Sequence, residues 1–127
     1  MSEQRVVVKV DFVSLHCPGG KETYHLINEE RLGLMQSSAY LINTARGDVI
    51  DNQALIAALG EKRIAGAGLD VYEGEPALDS GFLKLENAVL LPHLGSASAE
   101  TRIAMGRRVL ENLAAYLAGK KLRDRVV

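Results

Sequence analysis

Short apolar runs alternate with segments that carry helix signals, and this alternation restricts the fold more than any other feature of the chain. The runs are Asp11–Leu15, Tyr40–Ile42, Ile64–Val71 and Ala88–Leu91. Asn28 opens a short helix, with Glu29 and Glu30 in its first turn and an end near Met35. Asp51 caps a second, with Leu55, Ile56 and Leu59 on one side and a stop at Gly60. A long final helix runs from Ala97 to Leu117, with Ile103, Gly106, Leu110, Leu113 and Leu117 at helical spacing and Ser96 or Ser98 as its cap, and it ends at Gly119. Lys21–Leu26 reads as an ordered loop, and Tyr72–Leu85 as a loop with a helical turn near Phe82. Strands alternating with helices build parallel β-α-β units with right-handed crossovers. The expected fold class is therefore α/β: half of a doubly wound parallel sheet of four to five strands with flanking helices. The valine-rich run Arg5–Val10 is the fifth candidate strand.

One stretch, Ala39–Asp48, joins this architecture to chemistry. Tyr40, Leu41 and Ile42 form the kind of run expected of a strand covered on both faces. Asn43 and Thr44 end it, Arg46 follows, and Gly47 permits a tight turn. In open α/β sheets, ligands bind beyond the C-terminal ends of the strands. The planar fork of an arginine there suits a carboxylate held by two parallel hydrogen bonds. A solvated surface ion pair is the alternative for a lone arginine.

Two further strand ends bear on that choice. The first is Gly68-Leu69-Asp70-Val71, followed by Tyr72-Glu73-Gly74-Glu75-Pro76; the second is Leu90-Leu91-Pro92-His93, just before the last helix. Arg46, Glu75 and His93 are thus expected at one edge of one sheet. A histidine is a suitable general acid or base near neutral pH. A carboxylate on its other ring nitrogen fixes the tautomer and favours the protonated ring, while an arginine holds a substrate carboxylate beside it. Taken singly, the histidine has the alternative reading of a helix cap and the glutamate that of a solvated loop residue.

Composition removes several function classes. The 127 residues carry a formal charge of −1, which gives no pull toward nucleic acid or anionic membrane, and aromatic content is only 5%, too little for a base-stacking surface. No run approaches the ~20 apolar residues that span a bilayer. The single cysteine, Cys17, excludes an internal disulfide and suits a reducing cytosol, so a cytoplasmic location is expected. His16, Cys17 and His93 do not form a metal-binding pattern, and Cys17 lacks an activating neighbour. Gly66-Ala67-Gly68 begins like a dinucleotide fingerprint but lacks the third glycine and lies inside a strand, so it reads as a close-packing site.

These residues resemble a known family. Leu15-His16-Cys17-Pro18, Thr23–Asn28, Leu41–Gly47, Gly68–Pro76 and Pro92–Ser96 are similar, in order and spacing, to the D-isomer-specific 2-hydroxyacid dehydrogenases, with glyoxylate/hydroxypyruvate reductases and phosphoglycerate dehydrogenases nearest. The resemblance implies an NAD- or NADP-dependent hydride transfer to a small 2-keto acid. It implies that Arg46 holds the substrate, that His93 exchanges a proton with the carbonyl oxygen, and that Glu75 pairs with His93. It also implies that Asp70 contacts the nicotinamide carboxamide and that Cys17, Pro18, Thr44, Ala45, Gly95 and Ser96 line the cofactor. Glutamate at position 75 argues against the formate dehydrogenase branch, where glutamine is expected.

The family also carries a substrate-domain segment and a Gly-rich phosphate loop ahead of these motifs, and neither is found in the 127 residues. The expected organisation is an extension, 1–10, followed by the second half of a Rossmann-type domain, 11–127. Such a chain is expected to bind no cofactor tightly and to be inactive alone; the alternative is a truncated or engineered half-domain with a structural role. A sheet edge left open at Asp11–Leu15 predicts association, and a homodimer is expected.

Overall fold

The computed structural model describes residues Lys9–Arg125 and divides the chain into two compact units, Met1–His93 and Leu94–Val127. In the first unit, four strands form one parallel sheet in the order β1 (Phe12–Leu15), β2 (Tyr40–Asn43), β3 (Gly66–Leu69) and β4 (Ala88–Leu90). Sequential order with all strands parallel places every strand's C-terminal end on the same edge. The fifth candidate, Arg5–Val10, falls mostly outside the described residues; Lys9 and Val10 are not in a strand.

Register divides the side chains cleanly. Val13, Leu41, Ala67 and Ala88 align across the sheet, as do Leu15, Asn43, Leu69 and Leu90. Both rows belong to or pack on the core, joined by Leu32 from helix α1 (Glu29–Gly33), by Leu55, Ala58 and Leu59 from helix α2 (Asn52–Gly60), and by Phe82. Asn43 sits within this packing almost fully buried because its amide is satisfied: its side chain donates to the Arg46 carbonyl (2.9 Å) and accepts from the Ala45 amide (3.0 Å).

The other face differs from the expectation of a strand covered on both sides. Phe12 and Tyr40 stack there at 5.5 Å and remain 67% and 43% exposed. Their neighbour in register is Gly66, where a Cβ would stand 3.0 Å from the Tyr40 ring and 2.8 Å from the Asn87 carbonyl. The pair Gly66 and Gly68 is thus a close-packing site, as its position inside the strand suggested.

Local signals set the helix ends. The Asn28 side chain accepts from the Arg31 amide, and Asp51 accepts from the amides of Gln53 and Ala54. Helix α2 does not stop through its glycine: Gly60 is still helical, and Lys62, at φ 56°, takes the left-handed position while the Arg63 amide bonds the Ala58 carbonyl. In the second unit, helix α3 (Ala99–Leu117) is capped by Ser98 and closed by Gly119 at φ 64°, with the Lys120 amide on the Ala115 carbonyl. No helix among the described residues is long and apolar enough to cross a membrane.

Candidate active site

Each parallel strand delivers a loop to the same edge of the sheet. After β1 comes His16–Gly20, after β2 Thr44–Asp48, after β3 Asp70–Pro76, and after β4 Leu91–His93. These loops are bound to one another. The Gly20 amide donates to Asp48 Oδ2 (2.9 Å), and the His25 amide donates to the Asp48 carbonyl (2.8 Å). The short 3-10 turn Gly47–Val49 packs directly on the loop after β3. A Cβ on Gly47 would lie 1.9 Å from the Tyr72 carbonyl carbon and 2.3 Å from the Glu73 nitrogen. Gly47 is therefore required for close approach between two backbones, not for a turn at positive φ.

The loop after β3 is anchored by Tyr72. Its hydroxyl lies 3.0 Å from the Leu69 carbonyl and 2.9 Å from the Leu91 carbonyl, sharing one proton between the ends of β3 and β4. Burial pushes the Tyr72 phenol above its ordinary pKa. Three residues further on, Glu75 turns back: its Oε1 accepts from the Tyr72 amide (2.7 Å), and its Oε2 lies 2.9 Å from His93 Nδ1. The hydrogen bond from His93, the largest cause, holds the Glu75 carboxyl below the usual range. Among the described residues no hydrogen bond or ion pair engages the other ring nitrogen, Nε2, and the His93 side chain is 53% exposed. His93 stands at φ 56°, a left-handed backbone that a residue with a Cβ rarely adopts and that persists where the surroundings enforce it.

The sequence-predicted residues therefore separate into two groups. Glu75 and His93 meet, and with Tyr72, Pro76, Leu78, Leu90, Leu91 and Pro92 they line a cleft of about 400 Å³. Arg46 lines a second cleft, of about 720 Å³, with His16–Gly20, Thr44, Ala45 and Asp48, so Cys17, Pro18, Thr44 and Ala45 fall together there. Arg46 is exposed and donates to the Ala45 carbonyl (2.7 Å); it forms no ion pair among the described residues. Asp70 is buried at the end of β3, its amide bonded to the Asn43 carbonyl (2.9 Å). Gly95 and Ser96 belong to the second unit, where the Ser96 carbonyl accepts from Arg102 Nε (3.0 Å).

One arrangement escaped the sequence reading. His25, also left-handed at φ 49°, places Nε2 2.9 Å from Glu73 Oε2 and Nδ1 3.9 Å from Asp51 Oδ2, with its ring stacked on Tyr24 at 3.9 Å. The available signal was a second glutamate two residues before Glu75, in a loop otherwise read for one.

The larger cleft suits the nicotinamide end of a dinucleotide in size, since small-molecule sites run from about 300 to 1,000 Å³. Its walls lie beyond the C-terminal ends of β1 and β2, with small residues such as Gly19, Gly20 and Ala45 beside His16, Arg46 and Asp48. Its glycine pair is not a free phosphate cradle, because the Gly20 amide is already taken by Asp48. Among the described residues no group of three or more His, Cys, Asp or Glu side chains is arranged to hold a metal ion.

Comparison with known proteins agrees with the fold. Residues 1–95 match the family model of the D-isomer specific 2-hydroxyacid dehydrogenase NAD binding domain. The chain is 54% identical over 110 residues to the glyoxylate reductase of Thermococcus litoralis, covering 87% of this chain and 33% of that protein. It is 56% identical over 110 residues to that of Pyrococcus horikoshii, with the same coverage of 87% and 33%. The chain thus spans about a third of the length of these curated relatives. Among solved structures, it superposes on the NADPH-dependent glyoxylate/hydroxypyruvate reductase of Sinorhizobium meliloti, in complex with NADP and malonate, with a TM-score of 0.85 and 36% identity, over 98% of this chain and 42% of that one. It also superposes on the NAD-complexed D-isomer specific 2-hydroxyacid dehydrogenase of Lactobacillus delbrueckii ssp. bulgaricus, with a TM-score of 0.87 and 34% identity, over 99% of this chain and 43% of that one. With the family model matched over residues 1–95 and the fold shared with solved members, this chain belongs to the D-isomer-specific 2-hydroxyacid dehydrogenases and carries sequence of their NAD-binding domain.

Proposed function

We propose that this chain carries the proton-transfer and substrate-holding groups for NAD(P)-linked reduction of a small 2-keto acid such as glyoxylate. The observation that carries this reading is the His93 Nδ1–Glu75 Oε2 contact at 2.9 Å. With Nδ1–H committed to Glu75, the proton available for transfer is the one on Nε2, on the exposed side of the ring. The bound nicotinamide would supply the hydride to the carbonyl carbon. His93 gives its Nε2 proton to the carbonyl oxygen as the hydride arrives and recovers it in the reverse direction. Arg46, exposed in the other cleft at the same strand-end edge of the sheet, is the group that takes the substrate carboxylate through its paired donors, which requires the two clefts to be bridged when substrate and cofactor are bound. Cys17, Pro18, Thr44 and Ala45 form the wall against the nicotinamide end, and Asp70 serves the carboxamide.

The chain alone is expected to hold the cofactor weakly. Backbone donors at a helix N-terminus supply much of the grip on a pyrophosphate, and the 127 residues contain no G-x-G-x-x-G turn. Without that grip, little binding energy is left to align hydride donor and acceptor, so turnover by the chain alone is expected to be slow or absent. Association of two chains along β1, an edge strand among the described residues, belongs to the same proposal; a monomer by light scattering across micromolar concentrations removes it.

The test is calorimetric titration with NADH and NADPH, paired with amide chemical-shift mapping. Millimolar, saturable binding that moves Cys17, Thr44 and Ala45, with glyoxylate moving Arg46 and His93, supports the reading. Shifts confined to other residues, or none at millimolar cofactor, overturn it for this chain.

A further inference from the structure

The five residues Tyr72–Pro76 bring two carboxylates to two histidines from different loops. Glu75 meets His93 and Glu73 meets His25, each at 2.9 Å. Only Gly74 separates the two glutamates, and its φ of 85° belongs to a backbone region where a glycine has wide freedom. The direction in which Glu75 leaves that turn therefore depends on how firmly its flanks are held.

We propose that His25 is a positioning residue for the His93–Glu75 pair: by fixing Glu73, it sets the Gly74 turn from which Glu75 reaches His93. His25 suits this role because it is itself immobilised from several sides. Its amide donates to the Asp48 carbonyl (2.8 Å), its ring stacks on Tyr24, and Nδ1 faces Asp51, the cap of α2. Its own backbone is left-handed, a conformation retained where surrounding contacts enforce it. Glu73 is held below the usual carboxylate range chiefly by His25, with Tyr24 contributing, so His25 faces a charged partner. A further contact reaches Glu73 through its backbone: Asn52 Nδ2 lies 3.4 Å from the Glu73 carbonyl. The Glu73 side chain itself is held by His25 with Tyr24 beside it, and on the far side of the turn the Ala77 amide donates to the Gly74 carbonyl (3.1 Å). The inference rests on reading the His93–Glu75 pair as the proton-transfer device.

The test is a carboxyl NMR titration of the full 127-residue chain, following Glu73 and Glu75 separately. In His25→Ala, Glu73 must rise toward the ordinary glutamate value of about 4.3, which serves as the control. The expected result is that Glu75 rises with it, by about half a pH unit or more. His25→Gln keeps a side-chain N–H donor without the imidazole charge and is expected to return Glu75 toward its original titration, which separates positioning from a through-space charge effect. A Glu75 titration that stays in place while Glu73 rises overturns the proposal. If His25→Ala fails to fold, Glu73→Ala, which removes the side chain that His25 holds, carries the same decision on Glu75. The measurement needs no cofactor, so the positioning role can fail while cofactor binding stands, and the reverse.

Discussion

The two histidine–glutamate pairs hang from one short loop and share a contact distance, yet their settings differ. The His25 side chain is 28% exposed and its second ring nitrogen faces another carboxylate, Asp51. The His93 side chain is 53% exposed and lines a cleft, and its second nitrogen makes no hydrogen bond or ion pair among the described residues. An imidazole with acids on both sides is held in place; one with an acid on one side and an open nitrogen on the other can exchange a proton with a ligand. The same two residue types thus suit two different roles, the proposed clamp and the proposed acid–base group, according to what meets the second nitrogen.

The largest test of this comparison removes the junction beneath both pairs. Gly47→Ala is expected to cost more than about 4 kcal/mol of stability, since its Cβ would stand 1.9 Å from the Tyr72 carbonyl carbon, and backbone cannot yield as a side-chain tip does. Denaturant unfolding measures it, and a loss under about 1 kcal/mol would mean that the two loops are not locked together. Next comes His93→Ala, which separates chemistry from folding. Glyoxylate reduction, where turnover is measurable, is expected to fall by about 10² to 10⁴-fold, with the melting temperature nearly unchanged. Retained turnover would remove His93 as the proton donor. Arg46→Lys is expected to weaken glyoxylate binding about tenfold or more, because a single ammonium cannot replace a bidentate fork. Equal affinity by calorimetry would return Arg46 to the role of a solvated surface cation.

A smaller effect comes from pH. Both Glu73 and Glu75 titrate below the ordinary range because their histidine partners favour the charged form. A carboxyl depressed in the folded state contributes stability that is complete above its unfolded value, about 4.3, and lost as pH falls through the lower folded value. Denaturant unfolding across that acid window should therefore show a stability loss that narrows in His93→Ala through Glu75 and in His25→Ala through Glu73. Both carboxylates are about one-third exposed, so solvent screening keeps each effect small, and the more enclosed His25 pair should give the larger one. An unchanged loss in both variants would mean that neither pair is linked to folding.

Much of the scaffold was legible because it is local. Asn28, Asp51 and Ser98 cap their helices through side chains two or three residues from the amides they bond, and Gly119 closes the last helix within its own turn. The meeting of Glu75 and His93 also followed from the chain, since residues just past parallel strands must share an edge. Other features were not legible. His25 and Glu73 are 48 positions apart, and nothing beside His25 announces its partner. The strand carrying Tyr40 reads as covered on both faces, because Tyr40, Leu41 and Ile42 form a continuous apolar run, and a run of that kind does not reveal whether a second layer is present. Gly47 read as a turn residue; only the packing of the next loop shows that it makes room for a backbone.

The sequence by itself determined the order of strands and helices, their caps, the edge on which the chemistry-bearing residues collect and the family. Those properties depend on neighbours within a few residues or on the fixed direction of parallel strands. Tertiary structure alone decided that Arg46 and His93 line separate clefts, and that one short loop feeds two histidines in different settings. It also decided which of those histidines keeps a nitrogen open. Those outcomes depend on distances between segments far apart in the chain, which packing sets and local propensity does not.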